Sequence, residues 1–172
     1  MRVGVALGSN LDERLTLLRS ARAHLQNLHE DSGPFLCSRI YETEPFDCPP
    51  GSPLFLNAVI EICCTLPPLD LLHRLQRVEE LLGRPGRHTH HAPRTIDLDI
   101  LYYDNLHFTL PELTLPHPRI HERPFVLCPL GDIRPDLILP GGDKSIASLV
   151  SAWSPDDIPK PVAFFLASLD VD

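Results

Sequence analysis

From Ile96 to Leu101 the chain alternates apolar and acidic residues: Ile96, Leu98 and Ile100 are apolar, and Asp97 and Asp99 stand between them. An extended strand points successive side chains to opposite faces, so this pattern predicts a strand with one face on a core and two carboxylates side by side on the other. Such a pair repels itself and is costly to desolvate unless something positive lies near. A hard divalent cation suits it, because Mg²⁺ is held by one or two carboxylates together with the phosphates of its substrate. The competing reading is an edge strand whose aspartates serve only solubility. The bare Asp-x-Asp pattern does not choose between the two.

The residues just upstream favour the first reading. Arg84, Arg87, His88, His90, His91 and Arg94 are interspersed with Gly83, Pro85, Gly86 and Pro93, a composition that predicts a loop. A basic loop leading into an acidic strand offers guanidinium groups for phosphate oxygens and carboxylates for a metal. The net charge of -8 and the pI near 5.5 argue against nucleic acid as the partner of that loop and for a small anionic ligand. His88, His90 and His91 lack the spacing of a closed zinc site, and no Cys-x-x-Cys pair accompanies them.

The 172 residues suffice for one domain with a substantial core. Five cysteines, at positions 37, 48, 63, 64 and 128, are an odd number without framework spacing. They read as reduced thiols of a cytoplasmic protein. No apolar run has the length of a membrane span, and Met1–Leu7 is too short for a secretory leader, so no membrane partner is expected. The 19 prolines cluster at 45–53, 111–124 and 155–161, which predicts long, stiff loops around a small centre.

Along the chain, Val3–Leu7 reads as a buried strand, and Asn10 reads as the N-cap of a helix with Glu13 completing a capping box. Residues 37–44 and 55–64 read as two more strands. In the latter, Leu56, Ala58, Ile60 and Ile62 share one face, and Phe55, Asn57, Val59 and Glu61 share the other. Phe55 beside Asn57 offers a ring to stack on and an amide to pair with, or simply a solvated face. Residues 65–82 read as a second helix that buries Leu72, Leu75, Val78 and Leu82 and carries Gln76 and Glu79 together on another face. With the acidic strand the order is βαββαβ, a ferredoxin-like α+β sandwich with long loops and a C-terminal extension. Its helices are expected to cover one sheet face and loops alone the other. Short helices are expected at 125–130 and 145–153.

In this order and spacing the motifs resemble the 6-hydroxymethyl-7,8-dihydropterin pyrophosphokinase family of folate biosynthesis. The resemblance runs from Val3 to about Val150. It rests on Leu7-Gly8-Ser9-Asn10, Tyr41–Pro45, Phe55-Leu56-Asn57-Ala58, Pro116–Arg119 through Pro129-Leu130, and above all on His90-x-Ala92-Pro93-Arg94-x-x-Asp97-Leu98-Asp99-Ile100-Leu101. It implies pyrophosphoryl transfer from ATP to the hydroxymethyl group of the pterin, with release of AMP. It further implies that Asp97 and Asp99 hold two Mg²⁺ ions and that Arg94 and His117 stabilise charge on the departing phosphate. The pterin would lie between Phe55 and Phe125, with Asn57 and Thr43 on its polar edge and the backbones of Glu44 and Phe46 beside it. Gln76, Glu79, Arg84, Arg87, His90, Arg94, Ile100, Thr114, His117 and Arg123 would bind the nucleotide. The chain departs from the usual family loop at His90-His91-Ala92, where a basic and an aromatic residue are common. Residues 1–153 would form the catalytic domain, and 154–172 fall outside the resemblance as a tail. The protein is expected to be a monomer. Two alternatives stay open: another two-metal nucleotide transferase, and a noncatalytic ferredoxin-like binding module.

Overall fold

The computed structural model describes residues 1–11, 13–45, 50–83 and 95–162. In chain order they form strand β1 (Arg2–Ser9), helix α1 (Arg14–Leu28), strands β2 (Leu36–Cys37), β3 (Tyr41–Thr43) and β4 (Phe55–Cys63), and helix α2 (Pro68–Leu81). Strand β5 (Asp97–Tyr103) follows, then the hairpin β6 (Phe108–Leu110) and β7 (Leu113–Leu115), a 3₁₀ turn at Ile120–Glu122, and helices α3 (Pro124–Ile133) and α4 (Ile146–Ser151).

β1 lies at the middle of an antiparallel sheet, with Val3, Gly4, Val5, Leu7 and Ser9 buried. It pairs with β4 from Arg2↔Cys63 to Ser9↔Leu56 and with β5 from Val3↔Tyr103 to Gly8↔Asp97. β2 and β3 follow one another along the outer edge of β4. The single strand expected over 37–44 is thus two short ones. The break has a local cause: buried Ser38 accepts the Val59 amide on its own Oγ at 2.9 Å while its amide donates to the Val59 carbonyl at 2.9 Å. A side-chain oxygen replaces a ladder carbonyl there, and the chain kinks without orphaning Val59.

The alternating faces feed two cores. Val3, Val5, Leu7, Leu56, Ala58, Ile60, Ile62, Leu98 and Ile100 pack with Leu18, Ala21 and Leu25 of α1 and with Leu71, Leu75 and Val78 of α2. On the opposite face, Val59, Leu101 and Tyr102 pack with Val126, Leu127 and Leu130 of α3 and Ile146 of α4. That face was expected to carry loops alone, and helices cover half of it. A bulge supplies part of the apolar surface. Val5 pairs with Ile100 but Gly4 with Tyr102, so the extra residue turns both Leu101 and Tyr102 toward α3. Gly4 leaves the space for the Tyr102 ring, which a Cβ there would strike.

Two local expectations are corrected. Asn10 is not a helix cap: α1 begins at Arg14, and the buried Asn10 amide donates to the Pro53 carbonyl at 3.4 Å, tying the end of β1 to the approach of β4. Gln76 and Glu79, one turn apart on α2, differ in burial. Glu79 is buried and accepts the Leu98 amide at 2.7 Å, satisfying the free edge of β5, while Gln76 is exposed in a surface groove with His73, Arg77 and Glu80. The helix also buries Leu71 where Leu72 was expected.

Candidate active site

Among the described residues, the part of the second sheet face that no helix covers is built on small residues. Ala6 and Gly8 stand at strand period along β1 on the side away from α1 and α2, and the strand registers place their neighbours. One row across the sheet runs Tyr41, Asn57, Gly8, Asp97, and the row two residues along runs Val59, Ala6, Asp99. Asn57, Asp97 and Asp99 therefore project from one face, with glycine and alanine as the floor between them. A Cβ added at Gly8 would stand 3.4 Å from Asn57 Oδ1 and 3.9 Å from the Phe55 ring, so both side chains lean over that glycine.

At one end of the floor, Asn57 Nδ2 donates to Thr43 Oγ1 at 2.7 Å. This bond orients the amide, aims its carbonyl oxygen over Gly8 and leaves the Thr43 hydroxyl a proton to donate. A flat heterocycle with adjacent N–H and C=O groups could pair with both. Phe125, in the first turn of α3, packs against the cluster that contains Ala6 and Val59 and so stands over the same face as Phe55.

At the other end the groups are charged. Arg123 Nη1 lies 3.3 Å from Asp99 Oδ2 and 3.5 Å from His117 Nε2, and its guanidinium carbon sits 5.9 Å from the centre of the Phe125 ring. His117 is anchored to β5 by its amide, which donates to Leu101 at 2.8 Å. Its Nδ1 accepts the Arg119 amide at 3.1 Å, which assigns the proton of the neutral ring to Nε2. Burial first, then Arg123 and Arg119, hold the imidazole down to about 4, so it is uncharged at neutral pH. It therefore serves as a hydrogen-bond donor, not a cation. Nε2–H and Arg123 Nη1, 3.5 Å apart, are then both donors and do not bond each other, and an acceptor such as an anion can bridge them.

Asp97 and Asp99 fit a hard cation in part by what accompanies them. No group of three or more His, Cys, Asp or Glu side chains gathers among the described residues. Two carboxylates on one face of a strand can take part in holding a Mg²⁺ ion that completes its shell with waters and substrate phosphates. Both are partly exposed, as such sharing requires.

The structure thus brings together Thr43, Phe55, Asn57, Asp97, Asp99, His117, Arg123 and Phe125. Thr114 lies on β7, partly buried, and Glu44 is exposed just after β3. Ile100 points its side chain into the first core, so only its backbone remains for a ligand. Phe46, Arg84, Arg87, His90 and Arg94 lie outside the described residues. The feature that sequence reading missed is the floor itself. Its signal was present in Ala6-x-Gly8, small residues at strand period opposite Val5 and Leu7.

A sheet face with two phenyl side chains and an amide at one end and carboxylates, a guanidinium and an imidazole at the other, in a mixed α+β chain with an antiparallel sheet, suits a flat ring beside an anion. The family is set by comparison. The model of the 7,8-dihydro-6-hydroxymethylpterin-pyrophosphokinase (HPPK) family matches residues 4–135, and the chain belongs to that family. It is 42% identical over 151 residues to the 2-amino-4-hydroxy-6-hydroxymethyldihydropteridine pyrophosphokinase of Pseudomonas aeruginosa, covering 88% of this chain and 91% of that one. It is 43% identical over 129 residues to the protein of the same name from Bacillus subtilis, covering 75% of each. In fold it is similar to the crystal structure of Plasmodium falciparum HPPK-DHPS wild type with pteroate, with a TM-score of 0.65, 16% identity, and coverage of 87% of this chain and 42% of that one. The family and enzyme class expected from the motifs, a pyrophosphokinase of folate biosynthesis, are borne out.

Proposed function

We infer that the chain transfers pyrophosphate from ATP to the hydroxymethyl group of 6-hydroxymethyl-7,8-dihydropterin on the open sheet face around Gly8. The observation that carries this reading is the row Asn57, Gly8, Asp97, which sets a heterocycle-pairing amide and a carboxylate on either side of one glycine. The strand order β2/β3, β4, β1, β5, with α1 and α2 on one side, supports a ferredoxin-like framework for it.

The pterin lies flat between Phe55 and Phe125, with its amide-like edge on Asn57 Oδ1 and the Thr43 hydroxyl. That placement holds the hydroxymethyl oxygen toward Asp97 and Asp99. The oxygen attacks the β-phosphorus of ATP in line and gives up its proton to solvent, the bond from that phosphorus to the α,β-bridging oxygen breaks, and AMP departs with that oxygen and its electron pair. Asp97 and Asp99 would hold Mg²⁺, which when bound neutralises phosphate charge and lowers the pKa of the attacking hydroxyl. Arg123 offers a permanent positive charge and His117 an uncharged N–H donor to the phosphate oxygens, and Asp99 fixes the guanidinium between them. The chain contributes position and charge compensation and forms no covalent bond to substrate. Arg84, Arg87, His90 and Arg94 add to phosphate binding and Phe46 to the pterin side, and the protein acts as a cytoplasmic monomer.

The test is AMP release from Mg-ATP with and without the pterin. The expected result is AMP formation that requires the pterin and falls at least about a hundredfold in Asp97→Asn and in Asp99→Asn, the scale of a lost electrostatic contact to the transition state. AMP formation independent of pterin, or full activity in both variants, overturns the reading. A noncatalytic binding module would release no AMP.

A further inference from the structure

Helix α3 presents Phe125 at its N-terminal end and Asp132 at its C-terminal end, and Asp132 reaches the kink before β3 and β3 itself, where Tyr41 shares a row with Asn57. Its carboxylate accepts the Arg39 amide at 3.1 Å, Arg39 Nε at 3.1 Å, Arg39 Nη2 at 2.5 Å and the Tyr41 hydroxyl at 3.0 Å. Tyr41 is buried, and the Arg39 guanidinium carbon sits 5.7 Å from the centre of its ring. Arg39 occupies the kink between β2 and β3, where Ser38 interrupts the regular ladder to β4.

β3 is three residues long. On its outer side Tyr41 pairs with Pro161, and the Val162 amide donates to Ile40 at 2.9 Å. A strand this short after a broken ladder is held weakly by its own backbone bonds. A carboxylate taking several charge-assisted bonds in a fixed fork gives it both energy and direction. Two residues beyond Tyr41, Thr43 bonds Asn57. The tether from Asp132 therefore joins the element that carries Thr43 to the helix that carries Phe125.

We propose that Asp132 is a positioning residue for the pterin, setting the separation between the Thr43–Asn57 wall and the Phe125 wall. This rests on the pterin pocket inferred above. A ring stacked between two others needs each face within about 3.5–4.0 Å of its neighbour, so a small displacement of α3 from β3 loosens the sandwich and the polar edge together. Arg123 sits at the same helix end but is held separately by Asp99 on β5, so the nucleotide is spared.

The test uses the full chain with Mg²⁺ and compares dissociation constants for the pterin and for a non-hydrolysable ATP analogue by calorimetry. Asp132→Ala is expected to weaken the pterin about tenfold, the scale of a lost network of charged hydrogen bonds, and Tyr41→Phe less so. The ATP analogue should shift by no more than about twofold. Leu25→Ala, in the core of the other sheet face, gives a comparison of lowered melting temperature in which the ratio of the two constants stays as in the parent. Unchanged pterin affinity in Asp132→Ala, or equal weakening of both ligands, overturns the proposal. If Asp132→Ala does not fold, Tyr41→Phe decides: pterin affinity equal to the parent overturns it. Asn57→Ala and Phe125→Ala separate the two claims. If these weaken the pterin and the Asp132 and Tyr41 variants do not, the tether fails alone; if these leave it unchanged, the pocket fails.

Discussion

His117 shows how a residue's surroundings decide its role. A histidine among arginines and aspartates could be a cation or a neutral donor, and burial beside Arg123 and Arg119 makes it neutral by holding its pKa down to about 4. An unfolded chain returns it to about 6.5. Between those values the unfolded chain binds a proton that the folded chain does not, so the contribution is whole above about pH 6.5, declines as pH falls through the window, and levels off below about 4. Urea unfolding of the metal- and nucleotide-free protein should show this. The parent is expected to lose about 1–2 kcal/mol more than His117→Gln between pH 7 and 4.5. Equal losses in the two proteins would contradict a buried neutral imidazole.

At the scale of elements, α3 is held to the sheet by a second ionic contact. Glu61, wholly buried on β4, receives Arg134 Nη1 at 2.8 and 2.9 Å and the hydroxyl of Tyr102, whose pKa burial and Glu61 push up. A charge this deep is costly when its partner is lost, yet an apolar pair of similar volume often serves as well. Arg134→Met is expected to lower unfolding free energy by about 3 kcal/mol, and Glu61→Met with Arg134→Met to recover most of it. A double variant no more stable than Arg134→Met alone would show that the ion pair stabilises the fold more than an apolar pair does. None of this was legible beforehand. Glu61 sits in a strand whose other face is apolar, and nothing near it in sequence announces Arg134, 73 residues away.

Across the whole molecule, what the sequence disclosed was what period and punctuation encode. The alternation in β4 and β5 and the 3.6-residue spacing of α1 and α2 gave the element order and the first core. Four of the residues expected on the pterin, Thr43, Phe55, Asn57 and Phe125, do come to one face. The rest depended on tertiary competition. Asn10 has the chemistry of a cap but spends its amide on Pro53, Glu79 turns inward because the edge of β5 needs an acceptor, and a bulge at Leu101 creates a second apolar surface that no alternating pattern contains. The sequence patterns of α3 and α4 announce short helices but not their docking over the sheet, which requires Val59 and Tyr102 to face the same way.

The central claim is that pterin and phosphate meet on one sheet-face floor whose middle is Gly8. Gly8→Val tests it, because valine suits a strand while its methyl groups would rise between Asn57 and Asp97. The measurement is the dissociation constant of the pterin for parent and variant proteins with matching melting curves. The account predicts that binding falls at least about a hundredfold, the scale of a buried ring displaced from its pocket. Pterin binding equal to the parent's in a folded Gly8→Val protein would contradict it.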